Sequence, residues 1–552
     1  MKKVFLFAFF LVIVSGICEE VLLQIPFSYR ERLKGTPLIP VAFFENSIIA
    51  RTVKPDRSPG EKDELANLPF EYKLLSPLPA GKDEIFYIVY HSPYLNHSTA
   101  RFILKEKSTI LAEDGNAFFV KAKEEEITSI LHLGFDITYV SLQPVVLPEP
   151  VKEEDKGEGE IDLQENPVIR EIIDRITPSE IAQIVRELSG EVPVTVRGRI
   201  DTIRTRYATA AKNSSAAWYI YEKLSGYNLD SVNFHTFSWS SYTDSNVIGT
   251  KNGRVYPRRY YIIGGHFDCT SESPSTYAPG ADDNASGVVA AMIAAKYMSL
   301  YPWKYTIKFI AWNAEEFGLY GSDRHAQLVQ SQGDSLLGVI NGDMIATELT
   351  NLDSVRVYTG TRTSSRAIGD TFFAVNQRYN IGLGVRRSTS MQANSDHYSY
   401  YSRGYDAVHV FEDDMCPYYH TTGDRITASS FDTIYFCKVV KAMVATLATF
   451  AQPDTELLAI GEKGNFKPLS SIEISPNPFS SSTVIKLPKN RENCQIGIYD
   501  SEGREVISFS GEGKRRVFSW DGKNKEGKRR PGIYFLRISN KELYKLVLLR
   551  SG

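Results

Sequence analysis

The feature that most constrains the fold of this chain is an alternation of helical and strand-like segments between Asn166 and about Pro453. Segments such as Pro178–Leu188 and Ala208–Leu224 carry apolar residues at helical spacing. Between them lie short apolar or β-branched runs, which is the pattern of strands buried on both faces. These runs are Tyr260–Gly264, Tyr305–Trp312, Leu336–Asp343, Ser354–Thr359 and Ala407–Phe411. The alternation predicts an α/β domain over residues 166–455, with a mostly parallel central sheet flanked by helices.

The rest of the chain differs in composition, and 552 residues are too many for one hydrophobic core. Residues 19–148 show strand and hairpin patterns without a cluster of His, Cys or acidic residues, so we interpret them as a mixed, β-rich accessory domain or pro-domain. Residues 149–165 are acidic and contain Pro and Gly, which predicts a linker. Residues 465–552 contain short strand patterns separated by turn residues, which is typical of an Ig-like antiparallel β-sandwich.

Residues 1–18 have the pattern of a secretory signal peptide. Lys2 and Lys3 precede an apolar run from Val4 to Val14, and small residues follow it. This run is too short to cross a hydrocarbon layer of ~30 Å but suits a signal peptide. We therefore expect an exported, secreted or cell-surface protein without a membrane span in its mature chain. The formal net charge of −3 gives no electrostatic reason to expect nucleic acid as a partner.

Histidines and carboxylates follow the ends of the predicted strands, where open α/β sheets bind their ligands. These candidates are His266, Asp268, Asp282, Glu315, Glu316, Asp343 and His420. A lone histidine or a pair of acids at a helix start is often structural, so only the whole set of residues indicates a metal site. Adjacent carboxylates such as Glu315 and Glu316 are costly to bury without a cation. Asp268 could accept a ring N–H of His266 and fix its tautomer for metal binding.

One arrangement divides these groups evenly between two divalent cations, giving each cation one histidine and one acid, with Asp282 bridging. Imidazole and carboxylate ligands together suit Zn²⁺ best, without excluding Mn²⁺ or Co²⁺.

The motifs of this region, taken in order, resemble those of the co-catalytic dizinc aminopeptidases of the M28 peptidase family. They are GGHFD, APGADDNASG, AWNAEEFGLYGS, NGDM, SDH and YYHTTGD. The resemblance implies that His266 and Asp343 hold one zinc ion, that Glu316 and His420 hold the other, and that Asp282 bridges them. It further implies an unusual peptide geometry between Asp282 and Asp283. Its implied activity is hydrolysis of the N-terminal peptide bond of peptides with a free N-terminus.

Other roles follow from the same resemblance. It implies that Glu315 is the general base and that Asp268 supports His266. It implies a substrate pocket lined by Phe411, Met415, Tyr418 and Tyr419.

The chain departs from this family just before SDH. Many relatives carry a Cys pair and a Tyr there, whereas residues 388–394 read STSMQAN. Stabilisation of the negatively charged intermediate then falls to the metals, to Gln392 or to another residue, and stays unassigned. We expect His397 and His409 to be structural. A disulfide between Cys269 and Cys416 is an option that sequence does not decide.

The C-terminal region resembles the sorting domains of the bacterial type IX secretion system. The segments that carry this resemblance are Ser475–Phe479, Ile498–Asp500, Trp520–Gly522, Gly532–Phe535 and Lys545–Arg550. The resemblance implies export machinery as a partner and passage through an outer membrane. The rival interpretation is a generic Ig-like adhesion or spacer module.

Two alternatives to a dizinc aminopeptidase share the predicted fold. One is a glutaminyl-cyclase-like enzyme with a single zinc ion, which the complete ligand set disfavours. The other is a non-catalytic scaffold, and such proteins lose ligands that this chain retains. The number of bound zinc ions distinguishes all three.

Overall fold

The computed structural model describes most of the chain up to residue 454 and parts of the C-terminal region. The described residues are 21–34, 36–52, 68, 70–78, 84–147, 163–454, 473–475, 481–487, 495–500, 504–510, 517–524, 526–528, 532–538 and 542–548. Contacts divide the chain into two units, Met1–Asp454 and Thr455–Gly552. The predicted signal peptide and most of the predicted linker lie outside the described residues.

The N-terminal region, residues 21–147, contains two four-stranded antiparallel sheets and two short helices. Its elements are β1 (Val21–Pro26), β2 (Leu38–Phe44), β3 (Ser47–Thr52), β4 (Lys73–Pro77), β5 (Ile85–His91), α1 (His97–Lys107), β6 (Thr109–Asp114), β7 (Ala117–Ala122), α2 (Glu124–Thr128) and β8 (Phe135–Tyr139). The sheet orders are β2-β3-β1-β4 and β6-β7-β5-β8. Apolar residues of this region share a buried cluster with the middle of the chain, as where Phe43 meets Tyr398 edge-on at 5.3 Å between ring centroids.

The apolar runs of the middle region form the centre of an eight-stranded sheet. The strands of this region are β9 (Val194–Val196), β10 (Arg199–Asp201), β11 (Ser231–Trp239), β12 (Tyr242–Lys251), β13 (Tyr256–His266), β14 (Tyr305–Trp312), β15 (Ser335–Gly342), β16 (Ser354–Tyr358), β17 (Gly384–Ser388) and β18 (Ala407–Glu412). The large sheet has the order β11-β12-β14-β13-β15-β18-β16-β17. Its centre, β14-β13-β15-β18, is parallel. On one side β12 pairs antiparallel with β14 and β11 with β12, and on the other side β16 pairs antiparallel with β18 but parallel with β17. The sheet is therefore mixed, with the parallel part where both faces are covered.

Three of the eight helices of the middle region begin at a residue whose side chain caps the helix. The eight helices are α3 (Pro167–Arg175), α4 (Pro178–Leu188), α5 (Ala211–Ser225), α6 (Gly287–Met298), α7 (Tyr320–Gln332), α8 (Thr363–Arg378), α9 (His397–Tyr401) and α10 (Thr433–Ala451). Asn166, Thr177 and Asp432 each accept a backbone N–H at a helix start. By length and composition α10 could cross a membrane, but 72% of its most apolar window is buried inside the protein, as in a core helix.

Two glycines, Gly265 and Gly287, let helix α6 approach the sheet closely. A Cβ atom on Gly287 would lie 2.0 Å from the carbonyl oxygen of Gly342, and one on Gly265 would lie 2.7 Å from the backbone of Gly287. Any side chain at these positions would force α6 away from β13 and β15. The close approach brings the turn before α6 next to the carboxyl ends of these two strands.

The C-terminal unit consists of two antiparallel sheets, with the orders β19-β20-β23 and β22-β21-β24-β25. Its strands are β19 (Glu473–Ser475), β20 (Thr483–Lys486), β21 (Gln495–Tyr499), β22 (Glu505–Ser510), β23 (Val517–Trp520), β24 (Gly532–Ile538) and β25 (Glu542–Leu548). Buried residues of both sheets, including Ile485, Trp520 and Leu536, form one cluster. Two antiparallel sheets around one core are the arrangement that the strand spacing predicts.

Candidate metal centre

Side chains from the ends of three parallel strands form the first half of the site. His266 ends β13, Glu315 follows β14 by three residues, and Asp343 directly follows β15. The Nε2 atom of His266 lies 3.2 Å from Oδ1 of Asp343 and 3.7 Å from Oε2 of Glu315. All three side chains are buried, and their ligand atoms lie within 4.8 Å of one another. This half of the site therefore has the density of donor atoms that a bound cation requires.

The second half comes from two loops. His420 lies in the loop after β18, and Asp283 lies in the π-helical turn Ala281–Ser286 that leads into α6. His420 Nε2 lies 2.9 Å from Oε2 of Glu316 and 3.2 Å from Oδ2 of Asp283. The other oxygen of Asp283, Oδ1, lies 3.4 Å from Nε2 of His266. The carboxylate of Asp283 thus lies between the two histidines. We call the six residues His266, Asp283, Glu315, Glu316, Asp343 and His420 the metal centre.

The prediction that Asp282 occupies the bridging position is wrong. Its carboxylate faces away from the metal centre, where Oδ1 accepts the backbone N–H of Ala346 at 2.9 Å and Oδ2 accepts the hydroxyl of Thr347 at 2.6 Å. Asp283 has extended backbone angles, φ −104° and ψ 95°, so the two neighbouring side chains point to different sides. The unusual peptide bond also lies one residue later than expected, as a cis bond between Asp283 and Asn284.

Asp268 supports the metal centre in two ways. Nδ1 of His266 lies 3.1 Å from the backbone carbonyl oxygen of Asp268, so that a ring N–H can donate to it and Nε2 faces the metal centre. The Asp268 carboxylate, 3.6 Å from the ring, instead accepts the backbone N–H groups of Glu315 and Glu316, each at 3.1 Å. The supporting role that the sequence predicts for Asp268 therefore runs through its backbone, while its carboxylate holds the two glutamates.

Sequence reasoning missed three further supports. Asp424, the last residue of the YYHTTGD motif, accepts the backbone N–H groups of Asp282 and Asp283, each at 2.9 Å. Ser395, the first residue of SDH, donates its hydroxyl to Oδ2 of Asp343 at 2.6 Å. Both lie inside motifs, so their position was a usable signal. The third support is a backbone carbonyl, which carries no sequence signal: Leu131 O lies 2.7 Å from Nδ1 of His420.

Arg206 holds the loops of the metal centre together and also went unpredicted. The side chain is fully buried and donates to four backbone carbonyls. The acceptors are Phe267 at 2.5 Å, Pro279 at 2.6 Å, Gly280 at 2.7 Å and Leu188 at 2.9 Å. Because Phe267 follows His266 and Gly280 precedes Asp283 by three residues, one guanidinium ties both ligand loops to α4.

The buried carboxylates of the metal centre require a positive charge close to them. Burial raises the pKa of Glu315 well above its usual range, and burial with the charge of Glu316 raises the pKa of Asp283 to about 7. Burial acts to lower the pKa of His266 and His420, but the surrounding carboxylates outweigh it and raise the pKa of both rings well above the usual value. No Lys or Arg of the described residues forms an ion pair with the metal centre.

The donor set fits zinc. Oε1 of Glu316 is buried and has no hydrogen-bond partner among the residues that the structure describes, which leaves this carboxylate oxygen free to bind a metal ion. Imidazole nitrogens and carboxylate oxygens are ligands that zinc takes in proteins. Each histidine lies beside its own acid and shares Asp283, so the residues present can hold two ions.

A cavity of about 490 Å³ opens onto the metal centre. Phe411, Met415 and Tyr419 line it, as the family resemblance implies, but Tyr418 does not, because its ring lies against Gly423. Gln392 also lines the cavity and so stays available to contact substrate. An apolar wall beside the metal centre suits an apolar side chain of a substrate.

The structure also describes the other histidines and the two cysteines considered from the sequence, all of which are buried. Burial lowers the pKa of His397 to about 3 and that of His409 to about 4, so both rings are neutral, and they stack at 4.8 Å between centroids. His397 faces the Met391 carbonyl at 2.7 Å, which fits a structural role, whereas His409 also lines the cavity. Cys269 and Cys416 are free thiols, so the structure does not contain the disulfide considered from the sequence.

Comparisons with known proteins show which proteins this part of the chain is similar to. The profile of Peptidase family M28 matches residues 246–445. A "Probable zinc metalloprotease" of Pyrenophora teres f. teres is 30% identical over 198 residues, which are 32% of this chain and 40% of that protein. One from Pyricularia oryzae is 40% identical over 104 residues, 18% of this chain and 21% of that protein. The chain thus matches less than half the length of these curated relatives.

Two solved structures from Legionella pneumophila share the fold. The LapA aminopeptidase has a TM-score of 0.50 and 19% identity, and covers 67% of this chain and 98% of its own. LapB has a TM-score of 0.50 and 17% identity, and covers 67% of this chain and 99% of its own. The profile of Peptidase family M28 thus matches residues 246–445, which we call the M28 domain after that match, and the two solved structures show the same fold.

Proposed function

We propose that this protein is an exported, zinc-dependent aminopeptidase that hydrolyses the N-terminal peptide bond of peptides with the help of two zinc ions. The observation that carries this proposal is the position of Asp283 between His266 and His420, with Asp343 beside the first histidine and Glu316 beside the second. The M28 domain and the zinc metalloproteases among its relatives support a zinc-dependent hydrolase.

His266 and Asp343 would hold one zinc ion, Glu316 and His420 the other, and Asp283 both. The chemistry that zinc supplies when bound is Lewis acidity, which polarises a carbonyl group and lowers the pKa of water towards ~7. The chain positions these ligands through the Asp268 carbonyl, the Ser395 hydroxyl and the Leu131 carbonyl. Mn²⁺ or Co²⁺ could substitute, because both accept the same donors.

Glu315 is the residue that moves protons in this proposal. Its carboxylate faces the metal centre, and Asp268 fixes its backbone N–H. Glu315 would accept a proton from the attacking water and deliver it to the leaving amine, which is general base and then general acid catalysis.

Export and location rest on sequence alone. The first eighteen residues have the pattern of a signal peptide. The C-terminal segments resemble type IX sorting domains, and we propose on that basis that the protein reaches the cell surface or the medium through outer-membrane export. Comparing the cell-surface and periplasmic amounts of the full chain and of a chain ending at residue 464, in a host that has this machinery, tests the proposal.

Metal analysis and one substitution test the proposed activity. We expect about two zinc ions per chain and hydrolysis of aminoacyl p-nitroanilides that a chelator abolishes and zinc restores. One zinc ion per chain would instead support a glutaminyl-cyclase-like enzyme, and none would support a scaffold. Glu315→Gln should keep its zinc yet lower kcat by about a thousandfold or more, within the range known for general bases. Exposed Glu125→Gln is the matched control, and wild-type turnover by Glu315→Gln would remove Glu315 from this role.

A further inference from the structure

The N-terminal region reaches the metal centre through β8 and the turn before it. The backbone carbonyl of Leu131 accepts from His420, and the hydroxyl of Thr138 donates to the backbone carbonyl of Ala393 at 2.5 Å. These contacts flank Asp136 on both sides. The position of the Asp136 side chain relative to the metal centre is therefore fixed by the fold.

The Asp136 carboxylate faces the cavity of the metal centre. Asp136 lines this cavity together with all six residues of the metal centre, and its Oδ2 accepts the side-chain N–H of Asn394 at 2.8 Å. Burial raises the pKa of Asp136 to about 6, and the charges of His420, Glu316 and Asp343 also act on it. Asp136 is thus an acidic group in the wall of the cavity that also contains both halves of the metal centre.

Asp136 lacks a cationic partner within the described part of the chain. Its hydrogen bond comes from the neutral amide of Asn394, and no Lys or Arg of the described residues forms an ion pair with it. A half-buried carboxylate with only one neutral donor gains from a cation that enters the cavity.

A peptide substrate carries such a cation next to the bond that breaks. The α-amino group is largely protonated near neutral pH, with a usual pKa of about 7.7–8.0. Standard bond lengths place its nitrogen about 2.5 Å from the carbonyl carbon of the first peptide bond. The group that recognises it must therefore lie in the cavity that opens onto the metal centre, which Asp136 lines.

We propose that Asp136 binds the α-ammonium group of the substrate and thereby selects free N-termini. This inference rests on the proposed aminopeptidase activity and adds a binding residue from outside the M28 domain. The side chain of the first substrate residue then points to the apolar wall of Phe411, Met415 and Tyr419. The N-terminal region is on this view part of the substrate site.

A pair of inhibitors that differ only in the amine tests the proposal. The pair is an α-aminoalkyl boronic acid and the same alkyl boronic acid without the amine, measured on the full zinc-loaded enzyme. In Asp136→Asn the inhibition constant of the amine-bearing compound should rise about tenfold to a hundredfold, as expected for a lost charge-assisted hydrogen bond. The inhibition constant of the other compound should stay within about twofold. Glu125→Gln, which removes an exposed negative charge from the same region, should change neither.

Each other outcome has a defined meaning. Equal weakening of both inhibitors, or no change in either, overturns the assignment of Asp136. A loss confined to lysyl and arginyl p-nitroanilides, with leucyl p-nitroanilide unchanged, also overturns it, because Asp136 then binds a basic side chain. If Asp136→Asn does not fold, Asn394→Ala should show a smaller loss with the same selectivity. A wild-type enzyme without any peptidase activity would refute the proposed function itself, whereas an active wild type matched by Asp136→Asn refutes only this inference.

Discussion

The loops of the M28 domain and the β8 strand of the N-terminal region both reach the metal centre, but they contribute different groups. The M28 loops contribute side chains that can hold metal, such as His266 and Asp343. The N-terminal region contributes the Leu131 carbonyl, which holds His420, and the Asp136 carboxylate, which lines the cavity. The first kind of group repeats a family motif. The second kind depends on how two distant parts of the chain pack against each other, so the motifs alone do not define the site.

The largest expected effect concerns the two adjacent acids of the M28 loop. Asp283→Asn removes the one carboxylate that lies between both histidines, so zinc content and kcat/KM should both fall. We expect a loss of kcat/KM above about a thousandfold, beyond the ~10–100-fold typical of groups that only support a metal ligand. Asp282→Asn should fall within that smaller range, because Asp282 binds Ala346 and Thr347. Zinc per chain and kinetics on one aminoacyl p-nitroanilide measure both variants.

Circular dichroism of the two variants provides the control for folding. If Asp282→Asn loses zinc while Asp283→Asn retains it, the bridging position belongs to Asp282 after all, and the arrangement of this turn is different in the active enzyme.

Much of the fold and most of the metal centre could be predicted from sequence, for physical reasons. Strands buried on both faces appear in the sequence as continuous apolar runs, and parallel strands end at the same edge of a sheet. The sequence therefore predicts that His266, Glu315 and Asp343 lie close together. Sequence could not decide between Asp282 and Asp283, since neighbouring side chains point apart in a way that only the local backbone sets. The antiparallel strands flanking the parallel centre also escaped prediction, because their pairing depends on long-range register.

The groups that sequence reasoning missed act over long sequence distances or through the backbone. Leu131 contributes only a carbonyl, and any residue at that position has one. Nothing in the sequence distinguishes Asp136 from other polar strand residues, and only the packing of the chain places it in the cavity wall. Arg206 lies 60 residues before His266 and contacts only carbonyls.

Arg206 gives the second prediction, on stability. Arg206→Met keeps the length of the side chain but leaves four buried carbonyls without their donor. The free energy of unfolding should fall by about 3–5 kcal/mol, as for other losses of a buried hydrogen-bond network. Urea unfolding of the zinc-loaded protein, followed by tryptophan fluorescence, measures the change. Arg199→Met, at an exposed site, should stay within about 0.5 kcal/mol, and an equally small effect at Arg206 would contradict its role in holding the ligand loops.

The segment from Met391 to Asn394 joins the two regions, and its support gives the last prediction. The Ala393 carbonyl and the Asn394 amide bind Thr138 and Asp136 of β8, while the ring of His397 faces the Met391 carbonyl. Burial, with the nearby His409, lowers the pKa of His397 to about 3, so the folded protein holds this ring neutral. The packing of this segment between the N-terminal and middle regions should therefore become less stable as the pH falls.

The sign follows from the two pKa values of His397. Its folded pKa of about 3 lies below the ordinary value of 6.5, so between these values the unfolded chain binds the extra proton. The stabilisation is complete above pH 6.5 and declines as the pH falls towards 3. At pH 5.5 this one group should cost about 1.4 kcal/mol relative to neutral pH, since each pH unit below its ordinary pKa costs that much. His397→Gln keeps a donor for the Met391 carbonyl but binds no proton, so its loss of stability between pH 7.5 and 5.5 should be smaller than that of the wild type by this amount. Urea unfolding at the two pH values measures this difference, with exposed His132→Gln as the matched control. Identical pH dependence in His397→Gln and wild type would show that the folded protein tolerates a charged ring at His397.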